Sequence, residues 1–202
     1  MFREYAPLRW SPLQSTAGVG IARAVPPSRV TLDAPALSVM TDFSQTLAAT
    51  IEPEAGIEQA NEFMKRRGVR ALLITDAQGS VVGILTATEV LGETPVKLAL
   101  ERGIRRQDVR VADIMTPRAM LELLAFEEVR QARVGHIVAT LKHAGRQHFL
   151  VGERSANEER VRGIFSLTQI ARQLGVQLQP NAFAHTFSEI EAALGHSSGN
   201  WA

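Results

Sequence analysis

Cysteine is absent from the chain. That absence excludes disulfides, thiolate nucleophiles and cysteine-held metals, and it suits a reducing compartment. No stretch approaches the roughly 18 consecutive apolar residues of a membrane helix. The opening MFREYAPLRWSPLQSTAGVG lacks the basic start and unbroken apolar core of a secretory signal. A soluble cytoplasmic protein is the expectation. Charge of either sign is not in excess: the net charge is +1, which gives no reason to expect nucleic acid, anionic lipid or an acidic partner.

Catalytic signatures are missing too. The chain contains no GxSxG, no Walker loop and no HExxH, and nothing pairs a nucleophile with a base. AGVG (Ala17–Gly20) lacks the third glycine and the strand context of a dinucleotide fingerprint. Five histidines are present; His136 and His143 lie two turns apart, but no carboxylate or third histidine joins them at zinc-site spacing. No metal and no enzymatic activity are expected.

What the chain does hold is a repeat. GILTATEV (Gly83–Val90) returns as GIFSLTQI (Gly163–Ile170), 80 positions on. SVMTD (Ser38–Asp42) is answered by DIMTP (Asp113–Pro117) and GVRALLITD (Gly68–Asp76) by GRQHFLVGE (Gly145–Glu153), in the same order. Three ordered matches mark a duplicated unit. With 202 residues, 45% hydrophobic and 21% charged, the chain can bury a core as one domain or two small subdomains.

Each unit has a readable interior. In the first, Pro53 precedes a helix stripe of Ile57, Ala60 and Met64; Lys65, Arg66 and Arg67 fill its last turn, and Gly68 stops it. ALLITD then reads as a buried strand, DAQG as a tight turn and SVVGILT as the hairpin partner, with a helix beginning at Ala87–Leu91. The second unit predicts a longer single helix, with Val129, Ala132, His136, Ile137 and Leu141 on one stripe and Gly145 at its end. Its hairpin strands HFLV and VRGIFS flank a polar GERSANEER loop.

The expected order is strand, helix, strand, strand, helix, twice, an α/β (α+β) fold whose units pack through their sheets. The units span 38–92 and 111–175, with a linker at 93–110 carrying a short helix. Residues 1–37, with five prolines, form an irregular extension. Residues 176–202 hold a C-terminal helix striped by Phe183, Phe187, Ile190 and Leu194, then a loose tail.

The pattern SVMTD/DIMTP, the hairpin RALLITDAQGSVVGILT and the repeated Gly-x-x-Thr/Ser corner resemble a tandem pair of cystathionine-beta-synthase (CBS) domains, the Bateman module. The resemblance runs from about Ser38 to Gly175. It implies two β-α-β-β-α units related by a pseudo-twofold axis. It also implies adenosine-containing ligands between them: AMP, ADP, ATP, S-adenosylmethionine or cyclic dinucleotides. Thr86 and Ser166 match the family's phosphate- or ribose-seeking hydroxyl. Glu89 and Gln169 stand where the family has a ribose-gripping aspartate. Thr50 matches a position near the nucleoside, and Arg70 and Ala71 a segment near the adenine. The second unit's LELLAFEEV lacks the family's Thr-x-x-Pro character. Family members often form disc-shaped dimers that regulate an effector, so a homodimer and a separate effector chain are expected.

Two physical readings of the corner stay open. A hydroxyl at a helix start, with unpaired N–H groups beside it, can hold an anion, while a carboxylate one turn on accepts from ribose hydroxyls. Alternatively, Thr86-Ala-Thr-Glu89 and Ser166-Leu-Thr-Gln169 are capping boxes that stabilise a helix by roughly 1 kcal/mol without ligand. The first reading makes a regulatory sensor and favours Glu89, the closer aspartate substitute. The second makes a dimeric scaffold with degenerate clefts. The basic runs KRRGVR (Lys65–Arg70) and ERGIRRQDVR (Glu101–Arg110) are helix-end and linker charge, or else contacts to phosphate or RNA.

Overall fold

The computed structural model describes residues 30–155, 158–176 and 189–190. In the first half, strand β2 (Thr50–Ile51) leads to helix α1 (Ile57–Arg67), which buries Ile57, Ala60 and Met64. Gly68 ends this helix with φ 64°, a left-handed conformation that glycine adopts without a Cβ penalty. β3 (Ala71–Thr75) and β4 (Val81–Thr86) form the expected hairpin; Asp76 ties its turn by accepting the N–H of Ser80 at 2.8 Å. β2 lies parallel to β3. After α2 (Ala87–Leu91), the 93–110 segment folds onto the same unit through α3 (Thr94–Arg102), burying Pro95, Ala99 and Val109.

The second half runs through α4 (Val111–Ile114), β5 (Thr116–Pro117) and β6 (Leu123–Ala125), which lies parallel to β7 (His148–Arg154). Its long helix comes in two pieces, α5 (Phe126–Gln131) and α6 (Val134–His143), which corrects the single stripe expected from sequence. The N-terminal segment causes the break. Ala36 donates its N–H to the Ala132 carbonyl at 2.9 Å, and Pro35 bridges Arg133, so those backbone groups leave the helix ladder. His136 consequently caps the new helix start, accepting the Arg133 N–H at 3.0 Å, and is exposed. β7 pairs with β8 (Glu159–Ser166) well into the expected GERSANEER loop, with Arg154 opposite Glu159. α7 (Leu167–Gln173) follows. Residues 1–29 of the expected extension, and Phe183, Phe187 and Leu194 of the expected C-terminal helix, lie outside the described residues; Ile190 is buried in the second core.

Two four-stranded sheets result, and each borrows an edge strand from the other half. β1 (Thr41–Asp42), at the start of the first unit, pairs antiparallel with β8; β5, near the start of the second, pairs antiparallel with β4. The sheet orders are β1-β8-β7-β6 and β2-β3-β4-β5. Each sheet has its own buried core, one around Phe165, Leu167 and Ile170, the other around Leu72, Ile74 and Leu85. Arg162 secures β1: its guanidinium donates twice to Asp42, at 2.8 and 3.0 Å, once to Glu153, and stacks 4.5 Å from the Phe126 ring centre.

Candidate functional site

Two clefts open between the units, and each combines the corner of one unit with a strand start of the other. The larger, about 660 Å³, sets the second corner (Ser166, Gln169) against the first-unit run Arg66–Leu73. The smaller, about 410 Å³, sets the first corner (Thr86, Glu89) against Gly145–Leu150 of the second unit. Both sizes lie in the usual range for small-molecule sites. Ile84 and His148 line both clefts.

In the smaller cleft the corner is closed on itself through one carboxylate oxygen. Glu89 Oε2 accepts the Thr86 N–H at 2.7 Å and the Thr86 hydroxyl as well, while Thr86 Oγ1 accepts the Thr88 N–H at 3.3 Å. The capping box is closed. Arg146, on the opposite wall, is paired with Glu122 at 2.6 Å and lies over Phe149.

The larger cleft differs. Ser166 makes no side-chain cap, so its box stays open although its sequence pattern is the same. The reason is β1: the Thr41 hydroxyl donates to Gln169 Oε1 at 3.2 Å and holds the amide away from the helix start. With that oxygen engaged, the Gln169 amide nitrogen remains as a donor. Apolar groups for a flat ring come from Phe43, Leu47, Ile84 and Ile164. The walls carry Arg66, Arg67, Arg70 and Arg172, and no carboxylate among the described residues. The following helices are only seven and five residues long, so helix dipoles add little at either corner.

His148 sits where the clefts meet, at the position that Ala71 holds in the first unit; they pair with Ser166 and Thr86 respectively. Burial first, and the Arg70 charge second, push its imidazole down to about 4, so it is neutral at physiological pH.

The sequence candidates therefore divide. Ser166, Gln169, Arg70 and Ala71 come together in the larger cleft; Thr86 and Glu89 line the smaller. Thr50 lines neither: Thr46, Leu47 and Ala49 face the larger cleft, and alternation along the strand turns exposed Thr50 away. Among the described residues no group of three or more His, Asp or Glu could hold a metal ion.

Residues 38–95 match the family model of the CBS domain, and the second half repeats their element order. The fold is that of a CBS-domain pair. A solved structure of an uncharacterized conserved protein from Pyrococcus horikoshii is similar to it at 19% identity, with a TM-score of 0.52, over 75% of this chain and 100% of that one. Two others resemble it with TM-scores below one half. CBSX2, a CBS-pair protein of Arabidopsis thaliana, was solved in complex with AMP; it is 17% identical, with a TM-score of 0.49, over 69% of this chain and 94% of that one. The CBS domain pair of protein MJ0100 was solved with 5-methylthioadenosine and S-adenosyl-L-methionine; it is 19% identical, with a TM-score of 0.47, over 72% and 97%. No curated protein matches this chain.

Sequence reasoning missed Arg172, and read Arg66 and Arg67 first as helix-end charge, with contact to phosphate or RNA as the alternative. The usable signal was the repeat itself. Once each corner is known to face the other unit's strand start, KRRGVR falls opposite SLTQIAR.

Proposed function

We propose that this CBS pair is a non-catalytic regulatory protein that binds an adenosine-containing ligand in its larger cleft. Occupancy is passed to a separate effector chain, and the working assembly is a homodimer. One observation carries the reading. The cleft, about 660 Å³, joins an uncapped corner, Ser166 and Gln169, to the segment Arg70–Ala71 across apolar side chains that could cover a base. Polar groups left unsatisfied in a preformed pocket are what a ligand recognises. Signalling requires the ligand to favour one arrangement of the units over another, and a cleft built from both units meets that condition. The scaffold reading applies to the smaller cleft, where Thr86 and Glu89 satisfy each other and need no ligand.

The test is calorimetric titration of AMP, ATP and S-adenosylmethionine into the purified protein and into Ser166→Ala/Gln169→Ala. At least one ligand binds the wild type, with one site per chain, and the double variant weakens it by about tenfold, the value of one to two polar contacts. Failure of all three to bind, or equal binding by the variant, overturns the reading. A native mass spectrum checks the dimer and any co-purified nucleotide.

A further inference from the structure

The larger cleft carries a charge that the rest of the site does not explain. Arg66 and Arg67 reach it from the end of α1, Arg70 from the start of β3 and Arg172 from α7, so both units contribute. None of the four makes a salt bridge among the described residues; Glu62 pairs with Lys65 at 2.8 Å and feels the Arg66 charge only at longer range. Arg67 instead lies 6.0 Å from the centre of the Phe63 ring. The smaller cleft shows the opposite pattern, with Arg146 neutralised by Glu122 and a further carboxylate from Glu89. The donors Ser166 Oγ and the Gln169 amide nitrogen add to the imbalance, since the amide oxygen is already engaged by Thr41. Three arginines of the first unit and one of the second line the same cleft, and together they set a positive potential there. An acceptor-rich anion answers that potential; an uncharged nucleoside leaves it in place, and a sulfonium adds to it.

We propose that the larger cleft selects for a polyphosphate: an adenosine ligand carrying two or three phosphates, in preference to AMP, adenosine or S-adenosylmethionine, with the smaller cleft taking none of them. This rests on the adenosine reading above. The base occupies the apolar slot near Ala71, and the phosphates reach outward to Arg66, Arg67 and Arg172.

The experiment titrates adenosine, AMP, ADP, ATP and S-adenosylmethionine at low ionic strength without divalent cations, with inorganic tripolyphosphate as competitor. Affinity rises by about tenfold per phosphate, tripolyphosphate displaces ATP, and added salt weakens ATP far more than adenosine. Arg66→Gln/Arg172→Gln reduces ATP affinity at least tenfold, leaves adenosine within twofold and changes the melting temperature little, because neither side chain makes a salt bridge among the described residues and the longer-range attraction of Arg66 to exposed Glu62 is screened. A ladder in which ATP and adenosine bind within threefold of each other overturns charge selection and leaves the adenosine reading standing. Unchanged ATP binding by the double variant has the same consequence. Binding of tripolyphosphate with no gain from the nucleoside supports the anion wall and overturns the adenosine reading. Binding of nothing in the panel overturns both.

Discussion

His148 and Asp42 are both held away from their ordinary titration ranges, one by burial and one by a partner. The His148 imidazole is pushed from 6.5 down to about 4, so between those values the unfolded chain binds a proton that the folded one refuses. Its contribution to stability is full above pH 6.5 and drains away as pH falls towards 4. The Asp42 carboxyl is held far below its ordinary 3.8, chiefly by the Arg162 guanidinium, with Ser44 also donating to it. Its contribution is present above about 4 and is lost only below that. Urea midpoints measured from pH 8 to pH 2.5 are therefore expected to fall in two stages. His148→Gln flattens the first stage and keeps the second. Asp42→Asn leaves the first, shrinks the second, to which Asp113 and other lowered carboxyls also contribute, and costs about 2 kcal/mol at pH 7, the value of charge-assisted bonds lost from a mostly buried pair. A single-stage profile unaffected by either substitution would show that neither group is coupled to folding.

Among the elements, the borrowed edge strands explain why the Gly-Ile pair recurs. A Cβ on Gly83 would stand 2.7 Å from the Thr116 carbonyl and 2.9 Å from Met115 Sδ; one on Gly163 would stand 2.6 Å from the Thr41 carbonyl and 3.1 Å from Met40. Each glycine makes room for the strand that crosses from the other half. Gly83→Ala and Gly163→Ala should each destabilise by about 2 kcal/mol, as overpacking against backbone does. Gly135→Ala, in α6 with its nearest neighbour at an ordinary 3.5 Å, should be neutral or slightly stabilising, because alanine is the better helix former. Thermal melts of the three variants decide this, and equal melting temperatures would remove the steric explanation. The repeat, the α1 stripe and the first hairpin were legible in sequence because each is local and periodic. β1 and β5 were not: two residues carry no period, and their partners lie over a hundred and over thirty residues away. The break between α5 and α6 was hidden for the same reason, being imposed by the distant backbone of Pro35 and Ala36. Identical box patterns at Glu89 and Gln169 likewise diverge because β1 delivers Thr41 to only one of them.

At the scale of the whole molecule, crossed edge strands make two units depend on each other. The segment 38–95 that matches the family model contains β1, whose partner β8 lies in the second half, and lacks β5, which closes the edge of β4. Cut away alone, it would leave β1 unpaired, the β4 edge bare and the Met115 side chain missing from the wall of its core. The loss would fall on a segment too small to bury much core of its own. Residues 30–104 and 105–190 expressed separately are accordingly expected to show collapsed amide proton spectra and little exchange protection. Mixed, they should restore both, since the cut falls in an exposed loop after α3. The intact chain should unfold in one cooperative step, with calorimetric and van't Hoff enthalpies equal. A first half that folds alone, or two resolved transitions in the intact chain, would mean the crossings are incidental. If they are not, any ligand that shifts one unit against the other must also strain the strand each has lent. The clefts, the glycine contacts and the Arg162–Asp42 tie would then respond together, giving the pair a route from an occupied cleft to its outer surface.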